Sequence, residues 1–155
     1  MPIQMDVQQW DLLDNIPEPD QIEALINDLM MLIKADGSYS CSVRVVDEAE
    51  SAEFNERYRN KQGPTNVLSF PYESLAGVET DLLGDLLICA PVVRREAESQ
   101  GKSLEMHFSH LVVHGILHLF GYDHQTNDEA EEMEGLEIQV LEQHGFTNPY
   151  NDISA

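Results

Sequence analysis

The chain is short of positive charge. Its 155 residues carry 8 Lys and Arg against 29 Asp and Glu, a formal net charge of −21. Taken alone, that balance argues against nucleic acid and anionic membranes as partners. Cysteine is scarce as well. Cys41 and Cys89 each lie in an apolar, strand-like run, "CSVRVV" and "DLLICA", and belong to no close Cys pair. They are therefore excluded as metal ligands and read as small core hydrophobes. No sign of an oxidising compartment favours a disulfide. Long apolar runs are missing, none approaching the ~20 residues of a bilayer span. The N-terminus "MPIQMDVQQW" has no basic region and no apolar signal core, so the expectation is a cytoplasmic protein without a membrane anchor.

The shortage of cations is uneven. Seven of the eight basic residues fall within residues 44–102, against eleven acidic ones, a local net charge of −4. The rest of the chain carries −17. A basic surface built from the middle of the sequence is therefore compatible with the overall acidity.

Repeats and low-complexity tracts are absent too, and 155 residues suit one domain with an ordinary core. The alternation in "IQMDVQQ" (3–9) predicts a strand. A helix follows in "PEPDQIEALINDLMMLIKADG", with Asp20 as expected N-cap and Gly37 just past its end. "CSVRVVD" (41–47) reads as a strand, and 47–60 as an amphipathic helix capped by Asp47. "NVLSFPYE" (66–73) reads as a strand that Pro71 confines to an edge or an end. A loop occupies 74–81, and "GDLLICA" (84–90) is a strand. Pro91 opens a helix, Gly101 separates it from another over about 103–120, and a last helix spans about 127–144. Asn127 or Asp128 is its expected cap, with Glu131 near the reciprocal position. Residues 147–155 read as a loose tail. The expected fold is α+β, one domain over 1–155, with a small mixed sheet of about four strands covered by about five helices.

Three histidines interrupt the apolar run "HGILHLFGYDH" (114–124). His114 and His118, four apart on a helix, differ by about 40° and rise about 6 Å, so both rings point the same way. His124 would lie about 9 Å beyond His118 on a different side had the helix continued. Gly121 stands where the chain must turn back to bring it round. The pattern H-x3-H-x2-G-x2-H resembles a metzincin metal site, the other reading being three unlinked core histidines. Three neutral imidazoles fit a single zinc ion best, although nickel, copper and cobalt accept similar ligands. Three protein ligands leave a position open, which is the catalytic arrangement. His107 and His110 read as buried or supporting residues, and His144 as a solvated or helix-end residue.

The motif lacks one residue. Where metzincin peptidases carry a glutamate as general base, this chain has Gly115. Ordinary zinc peptidase chemistry thereby loses its proton acceptor. Asp85 and Asp123 are the candidates to replace it, Asp123 reading also as a turn or supporting residue beside His124.

Together with "RNKQGPTNVLSFPYE" (59–73), "LLGDLLIC" (82–89) and "DEAEEMEGLE" (128–137), the histidine segment resembles the YbeY family of bacterial metal-dependent endoribonucleases. The resemblance covers nearly everything from about residue 40. It implies a zinc-binding α+β fold and single-strand-specific RNA cleavage. It further implies a role in 3′-end maturation of small-subunit ribosomal RNA and in ribosome quality control. The partners so implied are single-stranded and ribosomal RNA and the ribosome or its small-subunit proteins. Carried over by position, the zinc ligands are His114, His118 and His124, and the functional arginine is Arg59. An arginine fork suits a scissile phosphate, though one at a helix end can equally cap carbonyls. Arg57, Arg94 and Arg95 read as surface residues. Thr65, Asn66 and Ser69 in "TNVLSFP" are candidate substrate-binding groups on the rim of an edge strand, suited to RNA and its 2′-hydroxyls. The acidic run 128–137 reads as an acidic amphipathic helix face, which would repel RNA from the wrong surface or meet a basic ribosomal protein. Two other readings stand beside the nuclease: a metallopeptidase, and a ribosome-assembly factor with structural zinc and no catalysis.

Overall fold

A computed structural model of the protein describes residues 3–12, 14–35, 39–71, 82–123 and 125–150. Its elements run β1 (Gln4–Gln8), α1 (Pro19–Leu32), β2 (Ser40–Val46), α2 (Glu48–Arg59), β3 (Val67–Pro71), β4 (Leu82–Cys89), α3 (Ala90–Gln100), α4 (Leu104–Leu119) and α5 (Asn127–Gln143), with a 3-10 turn at Trp10–Leu12. The architecture is α+β, as the sequence pattern implied. Four strands form one mixed sheet in the order β1-β2-β4-β3. β1, β2 and β4 run parallel, and β3 lies antiparallel on the edge against β4. Pro71 ends that edge strand, where a missing N–H costs no ladder bond.

Strand periodicity divides the core in two. Leu86 and Ile88 of β4 join the main core with Val43 and Val45, against α1, α4 and α5. Leu87 and Cys89 face the other way, into a smaller cluster with Val46, Leu68, Phe54 and Phe70. Both cysteines are buried thiols. Burial, aided by the charges of Asp85 and Glu23, pushes Cys41 up to about 12, and burial raises Cys89 as well. Neither is a reactive thiolate.

α4 is buried nearly all round, from Met106 to Leu119. Such a helix admits polar side chains only where partners await them. Ser103 caps its start, accepting from Met106 N at 3.1 Å. It ends as Gly121 predicted. Gly121 takes φ +97°, donates to the His118 carbonyl at 3.0 Å, and Tyr122 donates to Leu117 at 3.0 Å. That paired return satisfies the last carbonyls and reverses the chain. His124, three residues later, lies outside the described residues, as do Gly37, Tyr72, Glu73 and the loop 74–81.

Several local expectations are corrected. α1 starts earlier than Asp20 suggested. Pro19, whose fixed φ suits the first helical position, places the cap on Glu18. The Glu18 N–H donates to the Gln21 side chain at 2.9 Å. The α5 cap is Thr126, not Asn127 or Asp128, because its hydroxyl reaches Glu129 N at 3.1 Å. Asp47 caps α2 as expected, accepting from Glu50 N at 2.8 Å. β4 begins at Leu82, two residues before Gly84. His144 is the helix-end residue of the two readings, the C-cap of α5. It pairs across to Asp28 of α1, with Nε2 2.6 Å from the carboxylate. The tail is not loose through Tyr150, since the Tyr150 hydroxyl donates to Glu137.

Candidate metal centre and substrate cleft

α4 sets His114 and His118 on one face, one turn apart. Their Nε2 atoms converge to 3.1 Å, and the rings stand at 82°. A separation under twice the ~2.0–2.1 Å zinc–nitrogen bond lets one cation reach both. The donor set therefore fits a metal at these two residues. The predicted third ligand, His124, lies outside the described residues. Among the described residues alone, no group of three or more His, Cys, Asp or Glu side chains could hold a metal ion.

Behind His114 stands a residue that the sequence pattern had assigned to an acidic amphipathic face. Glu137 of α5 is fully buried. One carboxylate oxygen takes His114 Nδ1 at 2.9 Å. The other takes His110 Nε2 at 3.1 Å and the Tyr150 hydroxyl. Burial alone would raise its pKa, but the hydrogen bonds from His110 and His114 outweigh it and hold the carboxyl at about 2. An ionised Glu137 makes His114 Nδ1 the protonated nitrogen, leaving Nε2 with its lone pair toward His118. A signal for Glu137 existed in the sequence. Met133, Glu137, Val140 and Leu141 share the buried face of α5, so the carboxylate stands in an apolar stripe. Tyr150, beside Glu137, is pushed upward in pKa by burial and by that carboxylate, and stays a hydrogen-bond donor.

The histidine pair lies in a cleft of about 760 Å³ between α4 and the β3 edge. Arg59, Thr65, Asn66 and Ser69 all line it. Arg59 does not cap its own helix. Asn60 ends α2 in the left-handed conformation, and the Arg59 guanidinium donates to the Ser69 carbonyl, 5.6 Å from the Phe70 ring centre. Thr65 is tied down through its backbone, donating to Ser51 Oγ at 3.1 Å. The Asn66 amide donates to Glu96 at 3.1 Å. Glu96 also meets His107 Nε2 at 2.9 Å, an element of the cleft that the sequence did not reveal. Burial outweighs that carboxylate and lowers the His107 pKa. His107 and His110 are both buried, and the Nδ1 of each is without a hydrogen-bond partner.

Asp85 is not a base for this cleft. It accepts from Ser42 Oγ at 2.5 Å and lines a separate hollow with Asp6 and Cys41. Asp123 does not line the cleft either. Nor does Gly115 supply a base. A Cβ on Gly115 would meet Leu86 Cδ2 at 2.7 Å and lie 3.4 Å from Ser69 Oγ, so a larger side chain there would first have to displace Leu86.

The cations are sorted by place. Arg44, Arg57 and Arg95 pair with Glu50, Glu53 and Glu48. Arg59, Lys61 and Lys102 line the cleft, and among the described residues none of these three forms an ion pair. Against these three cations the cleft lining has one carboxylate among the described residues, Glu96, a local excess of positive charge suited to anions.

An α+β fold that sets two helical histidines with converging Nε2 atoms in an open cleft offers part of a metal-binding donor set beside an opening for a ligand. The comparisons narrow the reading. The family model described as Endoribonuclease YbeY matches residues 4–145. The chain is 48% identical over 151 residues to Endoribonuclease YbeY of Coxiella burnetii strain Dugway, covering 97% of this chain and 99% of that protein. It is 51% identical over 139 residues to Endoribonuclease YbeY of Alteromonas mediterranea, covering 88% and 86%. The chain belongs to the YbeY endoribonuclease family. The solution structure of TM1509 from Thermotoga maritima shares the fold, with TM-score 0.58 at 24% identity over 96% of this chain and 99% of that one. No helix among the described residues is long and apolar enough to cross a membrane.

Proposed function

We propose that the protein is a zinc-dependent, single-strand-specific endoribonuclease of the cytoplasm. Its proposed task is maturation of the 3′ end of small-subunit ribosomal RNA and quality control of ribosomes, in contact with small-subunit proteins. The observation that carries this reading is the His114–His118 pair, 3.1 Å apart at Nε2, in a cleft that Arg59 also lines. His114, His118 and His124 would hold the zinc ion. When bound, zinc supplies Lewis acidity toward a phosphoryl oxygen and lowers the pKa of water.

The protein's own groups do the rest. Arg59 is the catalytic arginine, presenting a planar fork to the scissile phosphate. Its anchor on the Ser69 carbonyl fixes that fork at the strand edge. Lys61 and Lys102 attract the flanking phosphates. Thr65, Asn66 and Ser69 form the rim along which an extended RNA strand lies. Glu137 holds His114 in the tautomer that ligates. Peptidase chemistry is disfavoured by Gly115, which brings no carboxylate where those enzymes carry their general base.

Metal analysis of the purified protein, paired with cleavage of an unstructured RNA, tests the reading. Wild type should carry zinc and cut. His118→Ala should lose both metal and cleavage, and Arg59→Glu should keep metal and lose cleavage. Cleavage that survives in His118→Ala sinks the proposal. Restoration of ribosome maturation in cells by a folded, metal-free variant would favour the assembly-factor reading in its place.

A further inference from the structure

We infer that Tyr150 is a stacking platform for one nucleobase of the bound RNA, at the cleft wall next to the histidine pair. The inference rests on the ribonuclease reading of this cleft. Tyr150 lies beyond residues 4–145 matched by the family model. Tyr150 lines the cleft, and the residue is 45% exposed. Its hydroxyl is not exposed in the same sense. It donates to Glu137 and lies 3.1 Å from His110 Nε2. The ring meets His110 edge to face at 5.2 Å and 84°.

One end of the side chain is thus pinned while nearly half of the residue's surface stays exposed. Pinning removes most of the entropy that a stacking partner would otherwise lose on binding. Placement fits the purpose. The Glu137 oxygen not used by Tyr150 holds His114 Nδ1 at 2.9 Å, so a stacked base lies one carboxylate from the candidate metal ligand. Arg59 and Lys102 line the same cleft and supply the cations that a flanking phosphate needs. Single-stranded RNA offers unstacked bases, and proteins that take it seat them on aromatic faces. Capping Glu137 explains the hydroxyl. It does not explain why a residue so tied leaves nearly half of its surface exposed at the cleft.

Anisotropy titrations with a labelled single-stranded oligoribonucleotide test this, against the same strand with abasic residues, each strand checked intact on a gel. Tyr150→Leu should weaken binding of the normal strand by about 5- to 100-fold and leave the abasic strand unchanged. Tyr150→Phe should stay within about 3-fold of wild type, because the stacking face survives. Equal losses on both strands, or no loss on either, overturn the inference in favour of a structural tyrosine. Should Tyr150→Leu not fold, Tyr150→Trp gives a second reading. Trp10, the natural tryptophan, is tied to the Pro17 carbonyl at 3.1 Å and packed on Phe108, so a new indole is distinguishable. Its emission should be quenched by the normal strand only, and lack of quenching overturns the assignment. If wild type cuts and binds RNA while these tests fail, only the Tyr150 assignment falls. If wild type does neither, the ribonuclease reading falls and takes this one with it.

Discussion

Gly84→Ala should destabilise the protein by about 3 kcal/mol or more, lowering Tm by about 6–12 °C. Gly84 has φ +146°, where side chains are strained. Space is lacking as well. An added Cβ would lie 2.3 Å from the Phe70 carbonyl and 2.9 Å from Pro71 Cα. Both are backbone atoms of β3, which cannot rotate aside. Leu119 at the end of α4 would be met at 2.9 Å. Here the register against β2 shifts, with Ser40 opposite Leu82 and Cys41 opposite Gly84, a bulge that bends the strand. Gly84 is thus where β3, β4 and the end of α4 meet. The same edge strand holds Ser69, whose carbonyl anchors Arg59, so RNA cleavage should fall with stability. Thermal unfolding checks it, and a Tm within about 2 °C of wild type would show that β3 yields freely.

Removing the Glu137 carboxylate should cost about as much and also weaken metal binding. Glu137→Ala leaves His110, His114 and Tyr150 without their shared acceptor in a buried site, a loss of about 3–5 kcal/mol. Without that acceptor the His114 ring is no longer oriented, and zinc affinity should fall by about 10- to 100-fold. Competition with a coloured chelator measures that directly. A pH signature accompanies it. The Glu137 carboxyl drops from 4.5 to about 2 on folding. Its stabilisation is therefore complete above the unfolded value and is lost as pH falls from about 4.5 to about 2. The amount is on the order of 3 kcal/mol. Acid unfolding in excess chelator should be steeper across that window in wild type than in Glu137→Gln, which has no proton to take up. Superimposable acid profiles would refute the role assigned to the carboxylate.

Much of the scaffold was readable because it is written in local periods. The strand at 41–47 and the helix at 47–60 with its Asp47 cap depend on neighbours within a few residues. So does the stop at Gly121. The two cap errors have local causes too: Pro19 and Thr126 competed with better-known cap residues nearby. Tyr150 was read as part of a loose tail because its partner, Glu137, sits on another element. Glu96 was invisible for a similar reason, since Asn66 and His107, which it joins, come from the turn before β3 and from α4.

By itself the sequence determined the alternation of strands and helices, the restriction of the proline-bearing strand to an edge or an end, and the common direction of His114 and His118. Each follows from backbone geometry repeated over a turn or a pleat. Tertiary structure alone decided the strand order, the burial of Glu137 behind His114, and the gathering of Arg59, Lys61 and Lys102 around one cleft. Those depend on which surfaces exclude water from one another, and a carboxylate in an acidic stretch becomes a buried acceptor only when imidazoles from another helix are packed against it.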